Sequence, residues 1–72
     1  MDSELKLGRY RHYKGKEYKL IGIAKNSETL EEFAVYQALY GDHAIWIRPK
    51  AMFFERISLN GTEMPRFQYI GQ

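Results

Sequence analysis

His12 and His43, Ser27, Glu28, Asp42 and the arginines Arg48 and Arg66 are the side chains in this sequence best suited to chemistry. Two histidines with no third ligand at suitable spacing do not make a zinc site, and the chain contains no cysteine. Nucleophilic catalysis requires a serine, a histidine and an acid converging with an oxyanion donor, and the spacing of Ser27, His12, His43 and Asp42 implies no such convergence. The six glycines are scattered and form no phosphate-cradling loop between a strand and a helix. A hydrolytic reading built on His12, Glu28 and Arg48 rests on residue types alone, and a 72-residue domain has little room for a deep pocket. The expectation is a non-enzymatic protein with no cofactor and no metal.

Aromatic and arginine side chains offer a different chemistry. Tyr10, Tyr13, Tyr36, Tyr40 and Trp46 carry large apolar faces with a polar handle, and Arg11, Arg48 and Arg66 can grip phosphate or carboxylate or lie over a ring. With His12, Glu28 and Thr29 they form the candidate ligand-binding set. Glu28 is placed in it as an ion-pair partner for Arg11 or Arg48, and Thr29 as a hydroxyl that satisfies loop backbone. The same rings compete for core packing, because a chain this short has few other large side chains.

Charge is unevenly spread. Residues 1–25 hold seven Lys or Arg against three acids, residues 26–55 two against five, and residues 56–72 two against one, which sums to +2. A basic first third interleaved with Tyr10 and Tyr13 suits single-stranded nucleic acid: bases stack on rings while Arg9, Arg11, Lys14 and Lys16 meet phosphates. Lysines on the wet face of a strand produce the same count. The expected function is a binding module that engages a peptide or single-stranded nucleic acid; self-association through an exposed edge strand is the alternative.

The elements that would position these groups read as strands. Val35–Pro49 is the centre, with two alternating runs around the break Gly41-Asp42-His43-Ala44, a hairpin with a longer loop. Upstream, Arg9–Tyr13 turns at Lys14-Gly15 into Glu17–Ala24, where Gly22 marks a bulge or bend. By strict alternation Tyr18, Leu20 and Ala24 share one face, and Lys19, Ile21 and Ile23 the other. Asn26–Glu32 is an acidic loop in which Ser27 or Thr29 is suited to capping a helical turn. Residues 30–40 also fit a helical template at Leu30, Phe33, Ala34, Gln37 and Ala38, but a helix would expose Val35, Tyr36, Leu39 and Tyr40, so a strand is preferred. Pro49 ends the central hairpin and opens a helical turn to Phe53. Asn60-Gly61 is the strongest turn signal, and Pro65 confines the strand after it to an edge.

The expected fold is all-β: a small SH3-like antiparallel barrel of five to six short strands with at most one or two helical turns. Residues 8–70 form the domain, between tails at 1–7 and 71–72. Met1–Lys6 has no apolar run of the kind found in signal peptides and no segment nears the roughly 18 apolar residues of a membrane span, so a cytoplasmic protein with no membrane partner is expected. Asn60-Gly61-Thr62 has the form of a glycosylation acceptor, but the turn explains it.

Several short words then stand together: Gly8-Arg9-Tyr10-Arg11-His12-Tyr13-Lys14-Gly15, Ser27-Glu28-Thr29, Val35-Tyr36, Leu39-Tyr40-Gly41, Trp46-Ile47-Arg48-Pro49, Met52-Phe53 and Pro65-Arg66-Phe67. Over residues 8–70 they resemble the DUF1653 family of small bacterial proteins. The resemblance implies an SH3-like barrel and no established activity. In that family a histidine often precedes the Ser-Glu-Thr word, whereas this chain has Asn26, which retains a hydrogen bond or cap but no imidazole.

Overall fold

The computed structural model describes residues 6–72. In chain order the elements are β1 (Gly8–His12), β2 (Glu17–Lys25), β3 (Glu32–Ala38), β4 (Ile45–Pro49), α1 (Lys50–Phe53), β5 (Arg56–Leu59), β6 (Thr62–Pro65) and β7 (Phe67–Gly71). Of the tail expected over residues 1–7, residues 1–5 lie outside the described part.

Every strand pairing is antiparallel. Five strands form one sheet in the order β4-β3-β2-β1-β7, and β5 pairs with β6 in a separate ladder. The all-β class expected from the sequence is what forms, with α1 as the one helix among the described residues, at the place Pro49 suggested. Two details differ from the expected barrel. The described residues form seven strands rather than five to six, because the run after Asn60-Gly61 is cut in two: Pro65 has no donor, and the Arg66 N–H turns to the Glu55 carbonyl (2.9 Å). For the same reason the two ladders stay separate, and among the described residues no continuous ring of hydrogen bonds closes the sheet.

The sheet folds around an aromatic interior. Tyr10, Leu20, Ala34, Tyr36, Phe53 and Phe67 are buried together, with Tyr18, Ile23, Phe54 and Tyr69 packed against them. α1 supplies the centrepiece: Phe53 is fully buried and stacks on Phe67 at 4.2 Å with an interplanar angle of 6°. Removing such a ring from water contributes about 2–3 kcal/mol.

The bulge foreseen at Gly22 changes which side chains face this interior. Leu20 pairs with Tyr36, but Gly22, not Ile21, pairs with Val35. Ile21 is therefore the extra residue, and beyond it the alternation reverses. Ile23 consequently turns inward beside Ala34 and Ala24 outward beside Phe33, the opposite of the strict alternation expected for them.

Two turns rest on backbone geometry. Asn60 (φ 53°) and Gly61 (φ 80°) both lie in the left-handed region, as a type I′ turn between β5 and β6 requires. At Gly8 (φ 131°) a Cβ would sit 2.9 Å from the Gly71 carbonyl oxygen, so β1 and β7 can approach here only through a glycine.

The β2–β3 loop makes a single turn of the α type, capped by Asn26 rather than by Ser27 or Thr29 and not continued into a helix. Asn26 Oδ1 accepts from the N–H groups of Glu28 (2.8 Å) and Thr29 (3.3 Å), and the Leu30 N–H donates to the Asn26 carbonyl (2.7 Å). Asn26 thus organises the loop as an Asx turn, with Leu30 at φ 65°.

Candidate aromatic and arginine cleft

Directly paired cross-strand residues share a face of the sheet, so Tyr18 on β2, Ala38 and Tyr36 on β3 and Trp46 on β4 lie on the inner side. Toward the β3–β4 turn this side carries a cleft of about 210 Å³ lined by Tyr18, Tyr36, Tyr40, Trp46 and Arg48. Tyr18 packs edge-on against Tyr36 at 5.4 Å and Tyr40 at 5.6 Å, and the Tyr18 and Tyr40 hydroxyls are 2.7 Å apart. Trp46 and Tyr40 are 53% and 38% exposed, which leaves ring surface open to a ligand.

Arg48 gives the cleft its charge. Its Nε–H donates to the Tyr36 hydroxyl (3.3 Å), and its guanidinium carbon lies 5.7 Å from the Phe67 ring centroid. Among the described residues no carboxylate lies within 4 Å of it. Lys16 adds a second cation, its Nζ 4.5 Å from the Tyr40 ring centroid.

His12 borders this region. Its ring meets Phe67 at 4.9 Å and Tyr13 at 4.5 Å, and its Nδ1 accepts the Lys14 N–H (3.1 Å). An accepting Nδ1 places the proton of the neutral ring on Nε2. Burial holds the imidazole below its ordinary range, reinforced by the charges of Arg48, Arg66 and Lys14. Burial, then the hydrogen bond with Tyr40, pushes the Tyr18 phenol up to about 12. Tyr18 accordingly stays protonated at neutral pH and offers a hydrogen bond rather than a nucleophile.

The candidate residues separate into groups. Tyr36, Tyr40, Trp46 and Arg48 converge on the cleft, with His12 and Tyr13 beside it. Tyr10 is buried at the other end of the core, its hydroxyl donating to the Lys6 carbonyl (2.6 Å). Arg11 lies on the outer face with Arg9, and both pair with Glu17, at 3.2 and 3.7 Å. The cations expected to act together are thereby divided: Glu17 compensates Arg9 and Arg11, while Lys16 remains at the cleft. Arg66 pairs with Glu55 (3.3 Å), and its carbonyl accepts the Tyr13 N–H (2.9 Å). Glu28 makes no ion pair with Arg11 or Arg48 because it sits in the Asn26-centred loop; Thr29 Oγ1 accepts the Glu31 N–H there (3.2 Å).

Tyr18 and Phe67 belong to the site but were absent from the expected set. Tyr18 did carry a signal, since it opens the inward face of its strand two residues before Leu20. Phe67 follows Pro65-Arg66, and nothing local shows that β7 returns beneath Arg48.

A larger hollow of about 390 Å³ lies elsewhere, lined by Glu31, Glu32, Pro49, Lys50, Ala51 and Phe54. Its one ion pair, Lys50 to Glu32 at 3.0 Å, already satisfies both partners, and the one ring lining it, Phe54, is half-buried against the core. The smaller cleft is the stronger candidate. No group of three or more His, Asp or Glu side chains among the described residues could hold a metal ion.

The family model described as a protein of unknown function, DUF1653, matches residues 8–69. The chain belongs to the DUF1653 family. A crystal structure of a DUF1653 protein from Bordetella bronchiseptica is similar to it with a TM-score of 0.87 and 33% sequence identity, covering 99% of this chain and 94% of that one. No curated protein matches. The family words quoted from the sequence thus fall in three settings: Tyr36, Tyr40, Trp46 and Arg48 in the cleft, Phe53 in the core, and Ser27-Glu28-Thr29 in the Asn26 loop.

Proposed function

We propose that this DUF1653 domain is a cytoplasmic, non-enzymatic binding module whose cleft takes single-stranded nucleic acid. The observation that carries the reading is Arg48: a guanidinium set among Tyr36, Trp46 and Phe67, with no carboxylate partner among the described residues. Such a site repels cations and favours a ligand that combines an anionic group with a flat ring. A nucleotide has both, its base stacking on Trp46 or Tyr40 while phosphates meet Arg48 and Lys16. Each base stacked on an aromatic ring contributes about 1–3 kcal/mol.

Trp46 is the sole tryptophan, so its emission reports directly on the cleft. Titration with a mixed short single-stranded oligonucleotide at low salt should quench it, and amide shifts should cluster on Lys14–Lys16, Tyr36–Tyr40 and Trp46–Arg48. Raising the salt should weaken binding steeply, because each phosphate contact releases counterions. Binding indifferent to salt would remove the phosphate mechanism, and shifts produced by an acidic peptide but not by the oligonucleotide would favour a protein segment as ligand.

A further inference from the structure

β4 is an edge strand of the five-stranded sheet, and its free side is unprotected. The Ala38 N–H donates to the Ala44 carbonyl (2.9 Å), and pairing continues through Gln37 with Ile45, Tyr36 with Trp46 and Val35 with Ile47. In an antiparallel ladder, hydrogen-bonded pairs alternate with non-hydrogen-bonded ones. Ala44 and Trp46 therefore bond inward to β3, and the N–H and C=O groups of Ile45 and Ile47 point away from the sheet. Ile45, Trp46 and Ile47 are 61, 53 and 63% exposed. Natural edges are usually blunted by charge, a bulge or proline; here Pro49 stands only at the far end, and the centre is Ile-Trp-Ile.

We propose that this edge pairs, antiparallel and about a two-fold axis, with β4 of a second copy of the chain. One register uses the outward groups fully. Ile45 of each copy faces Ile47 of the other and exchanges both backbone hydrogen bonds, giving four in all, while the two Trp46 residues meet at the axis as a non-hydrogen-bonded pair. Charge supports the antiparallel sense. It brings the Asp42 end of one copy toward the Arg48 end of the other, and neither Asp42 nor Arg48 has an ion-pair partner among the described residues. It also sets Arg48 opposite Ala44, so the two arginines do not confront each other.

The pairing changes the site. Trp46 lines the cleft on the inner face, so each copy adds its indole beside the other's and the two clefts become one track across the axis. Three side chains and a short ladder fall below the roughly 800 Å² per partner of a tight interface, so the association is weak and reversible.

Sedimentation velocity without any ligand tests this apart from the nucleic-acid reading. The wild-type protein should pass from monomer to dimer between micromolar concentrations and about 1 mM, the weak regime expected of so small an interface. A single monomeric species throughout would overturn the proposal. Ile45→Lys, at an exposed position outside the cleft, should keep the fold and weaken dimerisation at least tenfold; dimerisation unchanged in that variant would place the contact elsewhere and also overturn it. Trp46→Cys should give a disulfide-linked dimer on mild oxidation, as a non-hydrogen-bonded pair at the axis allows, and Ile45→Lys added to that variant should suppress the cross-link.

Discussion

The aromatic stack has two ends built from the same residue types and put to different use. At one end Tyr10 meets Phe53 at 5.4 Å, Phe54 at 6.3 Å and Tyr69 at 5.3 Å, and its ring is almost wholly buried. At the other, Tyr18 meets Tyr36, Tyr40 and Phe67 at 5.4–5.6 Å, but Tyr40 and Trp46 open to solvent. What differs is the cover. Phe53 of α1 sits between the ends, against Tyr10 and Tyr36 alike, and Phe54 just after it adds a second ring over the first end. At the second end β3 and β4 run out to their turn with no helix over them among the described residues. Burial turns tyrosine into core at one end, and its absence leaves a rimmed cleft with a cation at the other.

The sharpest way to break this contrast is to remove the cover. Phe53→Ala should lower stability by about 3–5 kcal/mol, measured by urea unfolding, because the cavity is lined by rings that cannot collapse into it. That loss is comparable to the whole stability expected of a domain this small. Retained stability in that variant would mean that the two ends are equally well covered.

Arg48→Gln should act on the open end alone. Oligonucleotide affinity is expected to fall by about tenfold or more, roughly 1.4 kcal/mol, with a shallower salt dependence. Stability should change much less than for Phe53→Ala, since one hydrogen bond to Tyr36 contributes about 1 kcal/mol. An Arg48→Gln protein that binds as well as the parent would remove Arg48 from the site.

Part of the pH response should come from the cleft end. Tyr18 is raised to about 12 in the fold against an ordinary 10, so the folded state holds its proton more tightly than the unfolded chain. Its contribution is complete below pH 10 and is lost as pH rises toward 12. Absorbance titration should show Tyr18 among the late-ionising phenols, together with Tyr10, which burial also pushes up, and Tyr18→Phe should remove one of those steps. The effect of His12 is smaller and has the opposite sense. Its folded pKa lies below the ordinary 6.5, so the stabilisation is present above that value and declines as pH falls through the folded pKa. An anion in the cleft should raise the His12 pKa by offsetting Arg48; proton NMR of the imidazole with and without oligonucleotide reads this directly.

Strands, turns and the short helix were legible because each rests on local chemistry. Asn60-Gly61 accepts positive φ values, Pro49 opens a helix but cannot continue a ladder, and the period of two from Val35 onward resists a helix. Most of the cleft lining was legible on the same terms, since Tyr36, Tyr40, Trp46 and Arg48 lie in or beside one hairpin whose register places Tyr36, Trp46 and Arg48 on one face. Two of the misplaced members depended on something elsewhere in the chain, and Glu28 on a neighbour two residues away. Arg11 was claimed by Glu17 across the β1–β2 ladder, Glu28 was held in a loop ordered by Asn26, and Tyr10 was covered by a helix forty residues along the chain.

By itself the sequence determined the all-β class, the hairpins, the aromatic character of the core and the family, because alternation, turn residues and composition act over a few residues. Tertiary structure alone decided which rings became interior and which became a cleft, and which arginine stayed uncompensated. It also decided, through one extra residue at Ile21, that Ile23 rather than Ala24 faces the core. Those outcomes depend on what packs against a side chain from elsewhere in the chain, and the period along a strand carries no record of it.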